Sequence, residues 1–319
     1  MSESIGTRPL GRVLVTGAAG FLGRAVVDTL AAAGHDVIGV DRDLRRGRQG
    51  TEALDLTLPA QVDDLLRRTH PDTILHFAAF GAGAAGLLAS AEGDPRTAVA
   101  VNVEGFAGLL DAAIRHSVGR VVWSSSTTVY GPPSTYAPRT RVTEEDVPAP
   151  TSVYGATKMI AERHANLVAE RGDLSVTGLR LPLVYGPGRW YGGAQAAWMA
   201  FAEDVVHARP GDYGFSAAEE DWMFVDDAVD AVLAAARADG AMAPVYNVAG
   251  TTTSPYDAAC ALARGRGGDV RVSADGRERT IVLINGAAFE AATGFVPRVT
   301  VEDGVERLAR ALEMEATTS

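Results

Sequence analysis

The chain has 319 residues, 47% of them hydrophobic, and a net charge of −11 at pH 7. That length and apolar content suffice for one large α/β domain, or for a nucleotide domain with a smaller partner. The acidic balance argues against a nucleic-acid surface, and the lone cysteine, Cys260, excludes an intrachain disulfide and suits a reducing, cytoplasmic setting.

The polar start, Met1 to Pro9, lacks the apolar core of a signal peptide and reads as a frayed end. Arg12-Val13-Leu14-Val15-Thr16 predicts a buried parallel strand. Gly17-Ala18-Ala19-Gly20-Phe21-Leu22-Gly23 follows and opens a helix ending near Gly34. Such glycines allow a tight turn and let a pyrophosphate approach the N–H groups of a helix start. The spacing is G-x-x-G-x-x-G, so the general dinucleotide fingerprint is only partly met. The next strand, Asp36 to Val40, ends at Asp41, about 20 residues on, where a carboxylate can hold ribose hydroxyls and repel a 2′-phosphate. Arg42, Arg45, Arg46 and Arg48 then read as a solvated loop, although arginines here can accommodate NADP. By spacing alone, Asp55-Leu56 is an ordinary turn that could return under an adenine.

Thr73 to Ala79 predicts a strand running into a small-residue loop that lets a cofactor come close, with His76 packed at the strand end and no metal-ligand cluster beside it. Phe80 to Asp94, rich in glycine and alanine, is expected to be a mobile loop, and Pro95 opens a helical pattern containing Asn102. No apolar run is expected to reach membrane-spanning length: Ala78 to Ala91 is too short, and Asp230 interrupts the later alanine-rich stretch.

Arg120 to Trp123 is a strand whose C-terminal end carries Ser124 to Gly131, the end where open parallel sheets bind ligands. Ser152 to Arg171 is helical, with Thr151 or Ser152 as cap, Gly172 as stop, and Tyr154 and Lys158 one turn apart on one face. A free tyrosine ionises near pH 10, about three units too high for a base near neutrality. A neighbouring ammonium lowers that value, which makes Tyr154 a candidate general acid/base. Leu174 to Leu181 is the next strand. Arg189 to Glu220 breaks the strand–helix rhythm and carries Trp190, Tyr191 and Trp198, as a substrate-binding insertion would. Trp222 to Asp227 leads into a helix through Arg237, Val245 to Ala249 is strand-like, and helices are expected near Pro255–Arg264, Ala287–Thr293 and Val301–Leu312, with Glu315 to Ser319 frayed.

Together these stretches resemble the extended short-chain dehydrogenase/reductase superfamily, of the NAD-dependent epimerase/dehydratase type. The matching pieces are Thr16 to Gly23, Asp41, Asp55-Leu56, His76 to Ala79, Asn102 to Gly105, Ser124 to Gly131, Tyr154 with Lys158, Arg180 to Gly188 and Val225-Asp226-Asp227. The resemblance implies an α/β fold: a doubly wound parallel Rossmann sheet over 10–182, with 221–249 returning to it, and a smaller C-terminal substrate-binding region of 183–220 and 250–314. It implies NAD as cofactor. Gly17, Gly20, Phe21 and Leu22 would lie along the pyrophosphate, Asp41 and Arg42 near the adenosine ribose, and Asp55 and Leu56 at the adenine. Phe77, Ala78 and Ala79 would line the middle of the cofactor, with Asn102 nearby in a structural role. Tyr154 would be the acid/base, Lys158 would hold the nicotinamide ribose and lower the pKa of Tyr154, and Ser126 would bond the reacting oxygen.

The resemblance also implies a homodimer pairing Pro95 to His116 with Ser152 to Arg171 through small residues such as Ala98, Ala100, Ala161 and Ala165; the charge and the lack of a long apolar run lead to the expectation of no nucleic-acid or membrane partner. Three departures bear on substrate. Thr127-Thr128 stands where the sugar dehydratases usually have Asp-Glu, which disfavours dehydration. Leu183 replaces a common asparagine, and Glu220 replaces an arginine that grips a substrate phosphate, with Arg189, Arg209 or Arg298 as candidate replacements. The expected activity is NAD-dependent hydride transfer at a secondary hydroxyl or ketone of a sugar-like substrate without a nucleoside diphosphate. A nucleotide-sugar 4-epimerase and a catalytically silent NAD-sensing module are the alternatives.

Overall fold

The computed structural model describes residues 8–81, 85–189, 193, 196–266 and 269–318. Its strands are β1 (Val13–Thr16), β2 (Val37–Asp41), β3 (Glu52–Ala53), β4 (Thr73–His76), β5 (Arg120–Ser126), β6 (Arg141–Val142), β7 (Ser175–Leu181), β8 (Leu183–Tyr185), β9 (Gly211–Ser216), β10 (Glu220–Phe224), β11 (Val245–Asn247), β12 (Thr251–Thr253), β13 (Val270–Asp275) and β14 (Leu283–Ile284). The helices are α1 (Phe21–Ala32), α2 (Pro59–Thr69), α3 (Gly86–Gly93), α4 (Pro95–Val99), α5 (Phe106–Arg115), α6 (Pro133–Tyr136), α7 (Val153–Arg171), α8 (Ala196–Val206), α9 (Val225–Arg237), α10 (Pro255–Ala263), α11 (Ala287–Thr293) and α12 (Val301–Thr318).

Seven parallel strands build the main sheet in the order β11-β7-β5-β4-β1-β2-β3. Alternation along each strand feeds two cores. Val13, Val15, Leu75, Val122 and Leu179 pack on one face with α1 and α9, while Leu14, Ile74, Val121, Trp123 and Val176 pack on the other with α2, α5 and α7. Fully burying one such side chain contributes roughly 1.5–3 kcal/mol, so the two-residue period largely decides which face each residue takes. The chain reverses its winding between β1 and β4, and ligands bind at such a switch point, outside the strand C-termini. Arg120, at the opposite end of β5, is buried and donates from Nη1 to the carbonyls of Ala235, Ala236 and Ala238, capping the C-terminus of α9.

A second body of structure lies beyond those C-termini. β8 and β12 flank β10 in a three-stranded sheet, β9 pairs with β13, and β6 pairs with β14. An aromatic core of Tyr185, Trp198, Phe201, Phe215, Trp222 and Phe224 joins α8, β9 and β10 to α10 and α12. β10 thus belongs to the small sheet, whereas α9 and β11 pack in the main body.

Several expectations are corrected. Helix α3 forms inside Phe80 to Asp94, where a loop was expected; Leu87 and Ala91 give it an apolar side against Tyr154. Strand β5 continues through Ser126 because Ser124, Ser125 and Ser126 pair with Leu179, Arg180 and Leu181. Helix α12 runs to Thr318, past the expected end at Leu312. The helical run Pro95–Arg115 does reach a length and mean hydropathy compatible with spanning a membrane; its apolar residues serve packing against α2, α3 and α7, and 44% of its most apolar window is buried. Ala98, Ala161 and Ala165, expected on a subunit interface, are buried within the chain's own cores.

Candidate active site

Two adjoining cavities open at the C-terminal ends of β1, β2, β4, β5 and β7. The first, about 370 Å³, is lined by nine of the expected cofactor residues: Gly17, Gly20, Asp41, Arg42, Asp55, Leu56, Phe77, Ala78 and Ala79. Gly17 has φ +72, and a Cβ on it would lie 2.6 Å from the Ala78 nitrogen. A Cβ on Gly23 would lie 2.1 Å from the Gly17 carbonyl oxygen. These two glycines let α1 and the end of β4 close on the turn. Gly20 caps α1 without a side-chain hydrogen bond, and the first turn holds no acidic residue, so the helix start offers its N–H groups to an anion. A dinucleotide pyrophosphate fits that cradle.

Asp41 secures the turn. Its Oδ2 accepts from the Ala19 N–H at 2.9 Å and its Oδ1 from the Asp43 N–H at 3.0 Å. Asp55 accepts from the Thr57 N–H and hydroxyl, which hold its carboxyl below the usual range. Arg45 pairs with Asp43, and Arg48 pairs with Asp28 at 3.2 Å. Arg42, Arg45 and Arg46 line the cavity wall, all exposed. His76 is packed: Thr16 Oγ1 lies 2.7 Å from Nδ1, its ring stacks on Phe106, and burial with the Lys158 charge pushes its pKa down to about 3.

The second cavity, about 520 Å³, shares Gly17, Gly20, Phe77 and Ala79 with the first and is lined by Phe21, Leu22, Ser126 and Tyr154. Ser126 Oγ accepts from the Thr128 N–H at 3.2 Å and the Thr128 hydroxyl at 2.9 Å. With both acceptor positions filled, its own proton is directed to a third partner. Helix α7 presents Tyr154 because Ser152 accepts from the Gly155 N–H at 3.1 Å and Gly155 sits against the Thr127–Val129 turn. A Cβ at 155 would stand 2.2 Å from the Thr128 carbonyl oxygen.

Lys158 and Asn102 line neither cavity. Lys158 is 2% exposed, donates from Nζ to the Ser124 carbonyl at 2.7 Å, and lies 5.6 Å from the Tyr154 ring centroid. Burial pulls its pKa down to about 8, with Glu162 opposing. Of 29 Lys+Arg residues it is the only lysine. Asn102, in a π-helical turn at Ala100–Gly105, accepts from the Phe80 N–H at 2.8 Å and donates to the Thr157 hydroxyl at 3.1 Å. It ties α7 to the loop after β4.

Sequence reasoning missed Thr128, Gly155, Glu162 and Arg180 as supports. Glu162 falls one turn after Lys158 on the same face, a spacing the sequence does display. On the far wall, Trp198 packs between Tyr185 and Trp222. Trp190 and Tyr191 lie outside the described residues. Glu220 accepts from the Trp222 indole N–H at 3.3 Å, and burial raises its pKa. Among the candidate replacement arginines, Arg189 lines this cavity, whereas Arg209 pairs with Asp204. Arg277, unanticipated, also lines it and is held by Asp275.

A family model described as "NAD dependent epimerase/dehydratase family" matches residues 13–249. A UDP-glucose 4-epimerase of Mycolicibacterium smegmatis is 34% identical over 238 residues, covering 70% of this chain and 72% of that protein. UDP-glucuronate 4-epimerase 6 of Arabidopsis thaliana is 34% identical over 251 residues, covering 71% of this chain and 52% of its own length. The structure of MoeE5 in complex with UDP-glucose and NAD is 29% identical with a TM-score of 0.75, covering 97% of this chain and 100% of that one. The chain belongs to the NAD-dependent epimerase/dehydratase family, an enzyme of the extended short-chain dehydrogenase/reductase type with NAD as its cofactor.

Proposed function

We propose that the protein oxidises and reduces a secondary alcohol carbon of a sugar or sugar-like substrate, with Ser126, Tyr154 and Lys158 as its catalytic residues. The observation that carries this reading is the shared cavity of Ser126 and Tyr154, beside the glycine turn, with the Ser126 proton left for a substrate oxygen. NAD supplies the hydride acceptor and donor. Tyr154 takes the carbinol proton or returns it, Ser126 donates to the reacting oxygen, and the Lys158 charge supports the tyrosine anion. Gly17, Gly20, Phe21 and Leu22 hold the pyrophosphate, Asp41 with Arg42 the ribose, Asp55 and Leu56 the adenine, and Phe77, Ala78 and Ala79 the middle of the dinucleotide. Asn102 keeps that last loop in place.

In this reading residues 10–182 with 221–249 form the cofactor region, and 183–220 with 250–314 the substrate region. The enzyme works in the cytoplasm as a homodimer, without nucleic-acid or membrane partners. Exposed Val99, Ile160 and Leu167 on the outer faces of α4 and α7 support the dimer.

Glu220 on the cavity wall supports a sugar, sugar acid or polyol without a nucleoside diphosphate. Two unit charges about 4 Å apart interact by roughly 1 kcal/mol in water and about 4 at an effective dielectric near 20, so a carboxylate there opposes a phosphate. The substrates named for the relatives, with Arg189 and Arg277 on the same wall, favour the second reading, a nucleotide-sugar 4-epimerase. Calorimetry with UDP, dTDP and GDP in the presence of NAD separates them: micromolar binding of any of these selects the second. Tyr154→Phe tests the chemistry itself. It is expected to keep NAD affinity and lower turnover by about 10²–10⁴-fold; unchanged turnover would remove Tyr154 from the mechanism.

A further inference from the structure

Beside Tyr154 the structure holds a chain of buried polar groups, of which Ser125 also lines the second cavity. Glu162 follows Lys158 by one turn of α7 and is 4% exposed. Arg180 of β7, 3% exposed, grips it with Nε to Oε1 at 2.9 Å and Nη2 to Oε2 at 2.7 Å. The Ser125 hydroxyl donates to Oε1 at 2.5 Å. Arg180 also donates to the Tyr130 hydroxyl, which in turn donates to Asn247 at 3.0 Å.

The three serines at the end of β5 are thereby divided. All three line the second cavity, but Ser124 gives its carbonyl to Lys158, Ser125 gives its hydroxyl to Glu162, and the Ser126 hydroxyl accepts from Thr128. A buried Arg–Glu pair seldom adds stability beyond what apolar residues of the same volume would give. Its place one turn from a buried ammonium suggests a different use.

We propose that Glu162, fixed by Arg180 and Ser125, is a positioning residue that keeps Lys158 charged and aimed between Ser124 and Tyr154. The inference rests on the reading of Tyr154 and Lys158 given above. Among the described residues, the groups facing Lys158 leave Glu162 as its one anionic support. On its own helix stand Tyr154 and Glu162; on β5, the Ser124 carbonyl and the Trp123 ring at 5.4 Å; on β4, His76, neutral above its low pKa; on β7, Arg180, whose charge Glu162 already engages. Lys158 has a folded pKa lowered from 10.5 to about 8, so the ammonium is present below that pH and is lost as pH rises through it. Glu162 opposes the loss. Removing its charge therefore moves the loss to lower pH.

The sole lysine makes this measurable without a substrate. Protein grown on lysine isotope-labelled at Cε gives one side-chain resonance, whose pH titration in the presence of NAD reports Lys158 directly. Glu162→Gln keeps the shape and removes the charge. Its midpoint is expected about one pH unit below wild type, near the low end of the effect of a neighbouring opposite charge. If the uncompensated guanidinium prevents folding, Glu162→Gln/Arg180→Gln removes both charges, and the midpoint is again expected to fall, because Glu162 is the one of the two whose charge acts on Lys158. A midpoint unchanged or raised in the folded variant, even with a loss of thermal stability, reduces Glu162 to a structural strut and overturns the proposal. Failure of the Tyr154 mechanism would show instead as unchanged turnover in Tyr154→Phe, a separate reading.

Discussion

Asp41 carries two tasks with one carboxylate. Its oxygens already hold the Ala19 and Asp43 N–H groups, yet the side chain lines the first cavity. Asp41→Ala is therefore expected to narrow the preference for NAD over NADP and also to loosen the glycine turn, raising the dissociation constant of both cofactors. Titration of each cofactor checks this, and tighter NADP binding by the wild type would show that Arg42 and Arg46 dominate. The place of this residue on the cavity wall was legible from its position after a strand about 20 residues beyond the glycines. Its bond to Ala19 was not, because a local pattern carries no information on which loop returns to it.

At the scale of elements, helix α7 and the turn after the serine strand meet through a backbone contact that only glycine permits. Gly155→Ala places a methyl 2.2 Å from the Thr128 carbonyl oxygen, so the start of α7 must move away from the Thr127–Val129 turn. Overpacking of this kind typically costs about 1–3 kcal/mol. The variant is expected to melt several degrees lower and to lose turnover at least tenfold while retaining NAD binding, as thermal unfolding and initial rates would reveal. Sequence patterns located both elements: helix α7 was foreseen to within a residue, since Ser152 and Gly172 mark its ends chemically. The serine cluster was read as following its strand, because serines have little strand preference and only the pairing with β7 extends β5 through them. Helix α3 escaped notice for a similar reason. Its glycine-rich and alanine-rich sequence has no strong periodicity, and contact with Tyr154 and α4 supplies what the sequence does not advertise.

For the whole molecule, the proposed homodimer requires a face that can pair with a second copy. The small residues that seemed suited to close helix approach turned inward, because alanines at that spacing also fill the narrow gap between α7 and the sheet. Val99, Ile160 and Leu167 remain outside, at 37%, 46% and 36% exposure. Ile160→Asp combined with Leu167→Asp is expected to convert a dimer into a monomer, seen by light scattering at micromolar concentration; a wild type that is already monomeric would refute the pairing.

The single lysine has a further consequence for handling the molecule. A protease that cleaves only after lysine has one site in the chain, Lys158, and that site is 2% exposed in the second turn of a 19-residue helix. Cutting there requires α7 to leave the sheet, so the rate of appearance of two fragments becomes a clock for opening of this core. Slower cutting with NAD present would measure, by mass action, how strongly the cofactor clamps the core shut.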